Sequence, residues 1–108
     1  MIDFKDFLEA VKGGKVRRDL FIVQDKPTVK YEMQRLMDEA HAMGLSPVVR
    51  STASAVIFGQ SSAMYRVAHP FLDTSLRGIE FDAIQGLDLL DTWLGGETVK
   101  NRLEAQVR

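Results

Sequence analysis

Residues 20–50, LFIVQDKPTVKYEMQRLMDEAHAMGLSPVVR, decide the fold class of this chain. The stretch begins with four apolar residues at 20–23 between polar neighbours, which is typical of a buried strand. Pro27 suits the first turn of a helix, and the spacing of the apolar side chains predicts that this helix covers 28–43, with Gly44 as its C-cap. A second strand is predicted at 47–50. The order strand, helix, strand indicates an α/β fold.

The predicted helix over 28–43 is amphipathic. Its apolar face includes Met33, Met37 and Met43, which favour packing against a sheet over a flexible partner-binding surface. Its charged side chains are predicted to face solvent, and they are Lys30, Glu32, Arg35, Asp38 and Glu39.

Further elements flank this unit on both sides. An apolar stripe predicts a helix at 3–11, with Asp3 as its N-cap and a stop at Gly13 and Gly14. Downstream, short apolar runs and turn residues predict strands at 55–58, 63–69 and 81–84, a hairpin turn at 59–62, a turn or short helix at 73–78, and helices at 87–94 and 97–107. We therefore predict an α/β fold, a small single domain over 1–108 with a mixed four- or five-stranded sheet and two to four packing helices.

Composition excludes several function classes. The net charge of -1 leaves no global positive field that would attract nucleic acid or an anionic membrane. The chain has no cysteine, so disulfides, thiolate nucleophiles and cysteine-ligated metal sites are excluded. The charged first residues do not form a signal peptide, and no apolar run approaches the ~20 residues of a membrane span. A cytoplasmic location without membrane contact is expected.

Three short features carry a resemblance to a known family. A strand leads through Pro27-Thr28 into a helix, and a hairpin with a polar turn follows around Gly59. Then Leu76-Arg77-Gly78 precedes the apolar strand Phe81-Asp82-Ala83-Ile84. These features resemble the P-loop ATPase core of phage terminase large subunits and related helicases. The resemblance implies an ATPase-like α/β domain. The turn after the first strand can be aligned with the phosphate loop, but its spacing favours alignment with a later helicase motif, in which case the phosphate loop is absent.

The residues at that turn depart from the family pattern. A phosphate loop needs glycines whose backbone N–H groups wrap the phosphates, a lysine, and a hydroxyl that binds magnesium. Aligned in this way, Lys30 takes the lysine position, but Gln24 and Val29 replace the glycines and Tyr31 replaces the hydroxyl residue. We therefore predict no bound cofactor and no nucleotide hydrolysis by the usual route.

No catalytic or metal-binding set is predicted. Where the family has an Asp-Glu pair, Asp88 is followed by Leu89, so no second carboxylate is left to activate a water. His41 is interpreted as a partly exposed helical residue and His69 as a strand-end hydrogen-bonding residue. Helix caps and solvated faces are favoured over a magnesium site for the acidic residues Asp73, Glu80, Asp82, Asp88 and Asp91.

Six residues are candidates for an interaction site. Four form the dense basic cluster Lys12, Lys15, Arg17 and Arg18. They can contact phosphates, but a solvated loop is favoured because no aromatic residue is interleaved for base stacking. Arg77 can clamp a phosphate or carboxylate, or pair with a neighbouring acid. Trp93 belongs either to the core, which is favoured, or to an exposed interface.

The leading hypothesis is a non-enzymatic interaction protein, phage-like in character. A degenerate P-loop-ATPase-like domain would bind and modulate a host or viral protein, for example one of DNA metabolism. The alternative is a nucleic-acid-processing accessory protein that contacts phosphates through the basic segment 12–18. A third hypothesis is a residual nucleotide or magnesium enzyme built on Lys30 and Asp88. We expect a protein partner and at most weak contact with nucleic acid.

Overall fold

The computed structural model of the chain describes residues 4–50, 55–58, 63–68, 79–92 and 95–108. In chain order, its elements are α1 (Lys5–Lys12), β1 (Arg18–Ile22), α2 (Lys26–Ala42), β2 (Pro47–Arg50), β3 (Ala55–Phe58), β4 (Ala63–Ala68), β5 (Ala83–Gln85), a 3-10 helix (Leu87–Thr92) and α3 (Gly96–Glu104). The predicted mixture of helices and strands is confirmed.

The strands pair in the spatial order β2-β3-β4-β1-β5. The central strand β1 runs parallel to β4 and to β5, with Asp19 opposite Tyr65 on β4 and opposite Ala83 on β5. The ladders of β3 with β2 and with β4 are antiparallel. The sheet is therefore mixed, and its parallel part lies around β1.

Helices cover both faces of β1, so the strand is buried on both sides. Phe21 belongs to a core cluster on one face, with α1 and α2. Leu20 and Ile22 belong to a second cluster on the other face, with the 3-10 helix and α3. Neighbouring residues of a strand point to opposite faces of the sheet. The continuous apolar run of β1 therefore contributes to a core on each side.

Aromatic packing holds α1 on the sheet. Phe4, Phe7 and Leu8 are buried, as the apolar stripe predicts. The ring of Tyr65 on β4 makes edge contacts with Phe4 and Phe7 at centroid distances of 5.0 and 4.9 Å. The contacts join α1 directly to the central part of the sheet.

The sequence-based assignment of the α2 faces is confirmed for the methionines and wrong for Glu32. Met33, Met37 and Met43 are partly buried and pack against the core. Glu32 was predicted to face solvent, yet it is buried. Its Oε2 accepts hydrogen bonds from Arg35 Nη2 at 2.7 Å and Nε at 3.0 Å. The pairing with Arg35, which itself lies over the Phe4 ring, compensates the charge of this buried carboxylate.

Several element ends differ from the predicted ones. β1 begins at Arg18 because its first residues pair with β4. α2 begins at Lys26, with Pro27 in its first turn as predicted. The helix expected at 87–94 is a 3-10 helix over Leu87–Thr92, and the last helix ends at Glu104. The expected strand at 81–84 is shifted to Ala83–Gln85, since Phe81 instead forms an isolated bridge with Val107.

The predicted turns at 59–62 and 73–78 lie outside the described residues, as do Asp3 and His69.

Candidate functional site

The connection from β1 to α2 lies where the ATPase resemblance would place a phosphate loop. Only residues 23–25 separate the two elements. Asp25 is the N-cap of α2, and its Oδ1 accepts a hydrogen bond from the Thr28 backbone N–H at 2.8 Å. A helix N-terminus attracts anions through its free N–H groups and its dipole. Here a carboxylate of the chain already occupies that position.

The residues aligned with the phosphate loop are part of α2 itself. Val29 is buried in the core, whereas Lys30 and Tyr31 are exposed on the helix surface. The sequence alignment treated 24–31 as a turn that is too bulky to wrap a phosphate. In the structure most of that segment is helical, because the Asp25 cap starts α2 at Lys26.

At the neighbouring end of β5, the backbone packs closely against β1. Gly86 has φ +84°, and a Cβ built on it would lie 2.3 Å from the Ile22 carbonyl oxygen at the end of β1. In open α/β sheets, ligands bind in the crevice beyond the carboxyl ends of the strands. The Gly86 backbone therefore packs directly against Ile22 at these two strand ends. Asp88, two residues further on, is exposed in the 3-10 helix.

A cleft of about 630 Å³ lies at the opposite, amino end of β1 and β5. Asp6 and Glu9 of α1 line it, together with Lys15, Arg17 and Asp82. Three acidic and two basic side chains therefore line this cleft, so its charges largely offset one another.

The structure places two members of the predicted basic cluster, Lys15 and Arg17, at this cleft. Lys12 ends α1, and both Lys12 and Lys15 are exposed. Arg17 is only partly exposed and lies between two carboxylates, with Nη1 2.7 Å from Asp6 Oδ2 and Nε 2.9 Å from Asp19 Oδ1. The backbone N–H of Arg18 donates to Asp82 Oδ2 at 2.8 Å. Arg77 and Trp93 lie outside the described residues.

The two ion pairs of Arg17 are electrostatically coupled. Burial acts to lower the pKa of Arg17, but the hydrogen bonds to Asp19 and Asp6 raise it by more, so this pKa lies above its ordinary value. Burial raises the pKa of the Asp19 carboxyl, and Arg17 offsets only part of that effect. The guanidinium is thus engaged within the chain, where it ties α1 to β1.

Sequence analysis did not identify the buried pair Asp19 and Tyr65. Both residues are almost completely buried, at 1% and 0% exposure, and they lie opposite each other on β1 and β4. Burial also raises the pKa of the Tyr65 hydroxyl above its ordinary value. The sequence did hold one signal that Asp19 is buried. Side chains of a strand alternate between its two faces, so Asp19 lies on the same face as the apolar Phe21.

The edge strand β2 is the other feature that sequence analysis did not single out. Val48 and Val49 are 62% and 43% exposed. β2 pairs with β3 on one side, and no strand in the described part of the chain pairs with its other side. The valines therefore lie beside a row of backbone groups that is open to another strand.

Within the described ranges, no group of three or more His, Cys, Asp or Glu side chains could hold a metal ion. No helix described here combines the length and the apolar character that crossing a bilayer requires. Comparisons with protein families, curated proteins and solved structures find no match for this chain.

Proposed function

We propose that this chain is a non-enzymatic, phage-like interaction protein of the cytoplasm, a degenerate P-loop-ATPase-like domain that binds and modulates a host or viral protein. The partner contributes an extended segment that adds to the five-stranded mixed sheet at β2. The observation that carries this proposal is the exposure of Val48 and Val49 on the edge strand. Large exposed apolar side chains beside open backbone groups favour the addition of a strand from another chain.

The geometry of β2 indicates what the partner segment contains. Val48 and Val49 are consecutive, so they point to opposite faces of the sheet. A strand that adds here meets one valine on each face. Apolar residues at neighbouring positions of the partner segment would bury both valines, and backbone hydrogen bonds would supply the rest of the affinity.

Two contacts support a binding role over a nucleotide enzyme. The Asp25 carboxylate caps α2 and would repel a phosphate at that helix end. The Gly86 backbone packs closely against the Ile22 carbonyl at the adjacent strand ends, at the edge of the sheet where such ligands bind. A nucleotide would have to displace both contacts.

The ion pairs of Arg17 support a protein partner over nucleic acid. A phosphate contact at this residue would compete with Asp6 and Asp19, which already bind its guanidinium at 2.7 and 2.9 Å. Asp6 and Glu9 also share the cleft with Lys15 and would repel a phosphate backbone.

Affinity measurements with a matched pair of variants test the proposed interface. The partner is first recovered from a host lysate on the tagged chain, identified, and purified for titration. Val48→Lys places a charge on the edge strand, and we expect it to weaken the complex by about tenfold or more. Tyr31→Lys is the control, because Tyr31 is also 62% exposed but lies on α2. Equal affinities of the two variants would contradict an interface at β2.

Nuclease treatment and salt distinguish the nucleic-acid alternative. A protein complex is expected to survive nuclease and to lose little affinity in high salt. Loss of the complex after nuclease, with affinity that falls steeply as salt is raised, would instead support phosphate contacts through segment 12–18.

Calorimetric titration with MgATP tests the enzyme hypothesis. We expect no binding heat at millimolar ATP, either for the native chain or for Lys30→Ala. Binding by the native chain that Lys30→Ala abolishes would contradict a non-enzymatic role and would favour a residual nucleotide site.

A further inference from the structure

Asp19 and Tyr65 place two buried polar side chains on the face of the sheet that α1 covers. They are register partners on the adjacent parallel strands β1 and β4, so their side chains emerge side by side on the same face of the sheet. Asp19 Oδ2 and the Tyr65 hydroxyl are both buried, and neither has a hydrogen-bond partner among the residues that the structure describes.

Both side chains are held in place by other contacts. Arg17 Nε binds Asp19 Oδ1 at 2.9 Å, which orients the carboxylate and leaves Oδ2 as its second, unpartnered oxygen. The Tyr65 ring is enclosed by Phe4 and Phe7, with interplanar angles of 89° and 81°. Rotation towards another partner would break the ion pair or the aromatic packing.

The two groups are chemically complementary. A carboxylate oxygen accepts hydrogen bonds, and a tyrosine hydroxyl can donate one. A molecule that donates to Asp19 Oδ2 and accepts from Tyr65 satisfies both of them, whereas a bare cation offers the hydroxyl no acceptor. Leaving buried polar groups unpaired is costly, and ordered water is the usual partner for such groups.

We infer that a buried water molecule bridges Asp19 Oδ2 and the Tyr65 hydroxyl and connects β1 to β4 beneath α1. The water completes a polar chain that runs from Asp6 on the surface through Arg17 and Asp19 to Tyr65. This series of polar groups extends from α1 to the centre of the sheet. It does not involve the edge strand β2.

The effect of Tyr65→Phe on stability tests the inference by its sign. If a water accepts from the hydroxyl, removing the hydroxyl breaks a satisfied hydrogen bond, and the unfolding equilibrium constant rises by about two- to tenfold. If the hydroxyl has no partner, Tyr65→Phe removes an unpaired buried group, and the constant stays the same or falls. The second result would overturn the inference.

Tyr31→Phe is the matched control, because Tyr31 is the chain's other tyrosine and its side chain is exposed. We expect this variant to leave the unfolding constant unchanged. An equal effect of the two substitutions would also contradict a specific role of the Tyr65 hydroxyl.

A high-resolution crystal structure of the full chain separates a bridging water from a direct contact. The expected result is one water within about 2.6–3.2 Å of both oxygens. A direct hydrogen bond between Asp19 and Tyr65, or a site without water density, would overturn the inference even if Tyr65→Phe is destabilising.

Discussion

The guanidinium carbon of Arg35 lies 4.3 Å from the centroid of the Phe4 ring. This contact places a cation of α2 directly against the residue that precedes α1. Arg35 also binds Glu32 at 2.7 Å and Glu39 at 3.4 Å, so one guanidinium neutralises a buried carboxylate while it covers an aromatic ring. The two helices are therefore joined by electrostatic as well as apolar contacts.

We expect Arg35→Met to lower the free energy of unfolding by about 2–3 kcal/mol, because it leaves the Glu32 carboxylate buried without its cation. Urea unfolding measures the loss. Adding Glu32→Gln to Arg35→Met should restore part of the stability, since it removes the uncompensated charge. The control is Arg108→Met, whose pair with Glu80 is 3.5 Å long and solvent-exposed and should contribute less than about 1 kcal/mol. Equal losses for Arg35→Met and Arg108→Met would contradict this account.

Gly86→Ala tests the close backbone contact between the ends of β1 and β5. Its Cβ would lie 2.3 Å from the Ile22 carbonyl oxygen, and its φ of +84° is unfavourable for alanine. We expect a loss of about 2 kcal/mol or more in urea unfolding. Gly14→Ala is the matched control, because Gly14 has φ +85° but no atom within 4 Å of the added Cβ. Its loss should be about 1 kcal/mol, from the backbone conformation alone. Similar losses at both positions would show that Gly86 is not in close contact.

Asp25→Ala tests the carboxylate that caps α2. Removing the acceptor of the Thr28 N–H should lower the free energy of unfolding by about 1 kcal/mol. Asp25→Asn keeps an oxygen acceptor and should lose much less, because asparagine is also a good N-cap residue. Thermal unfolding of the two variants provides the comparison. A loss for Asp25→Asn as large as that for Asp25→Ala would mean that the negative charge, and not the hydrogen bond, provides the stabilisation.

The buried Asp19 carboxyl predicts a specific dependence of stability on pH. Burial raises the pKa of Asp19 in the folded chain above its value in the unfolded chain. The folded chain therefore binds this proton more tightly, and the resulting stabilisation is complete below the unfolded pKa. It is lost as the pH rises through the folded pKa.

Urea unfolding of the native chain and of Asp19→Asn, from about pH 4 to pH 7, checks this dependence. The native chain should lose stability relative to Asp19→Asn as the pH rises, whatever constant difference the substitution introduces. Asp38→Asn, at an exposed position of α2, serves as the control for the surface carboxylates. A difference between the native chain and Asp19→Asn that grows in the opposite direction would contradict the prediction.

Most elements of the fold could be predicted because their signals are local. The apolar run at 20–23 marks β1 within two residues of its observed ends, and Pro27 and Gly44 mark α2 equally closely. The apolar stripe of α1 likewise predicted that Phe4, Phe7 and Leu8 are buried, whereas its fourth member, Val11, is only partly buried. Periodicity and capping depend on residues that are near in sequence, so one sequence suffices to recognise them.

Other features depend on contacts between distant segments. Glu32 follows the polar pattern of α2, but the contacts of Arg35 with Phe4 and Glu32 make its position a buried one. Phe81 follows a strand pattern, but it pairs with Val107 at the end of the chain. In both cases a tertiary contact outweighed the local preference.

Residue order alone determined the alternation of helices and strands, the apolar faces of α1 and α2, and the lack of glycines where a phosphate loop would lie. Tertiary structure alone decided that β2 forms an edge, that Arg17 joins α1 to β1, and that Asp19 lies beside Tyr65. The physical reason is range: hydrophobic periodicity and helix capping act over a few residues, whereas strand order and buried ion pairs arise only when distant parts of the chain pack together.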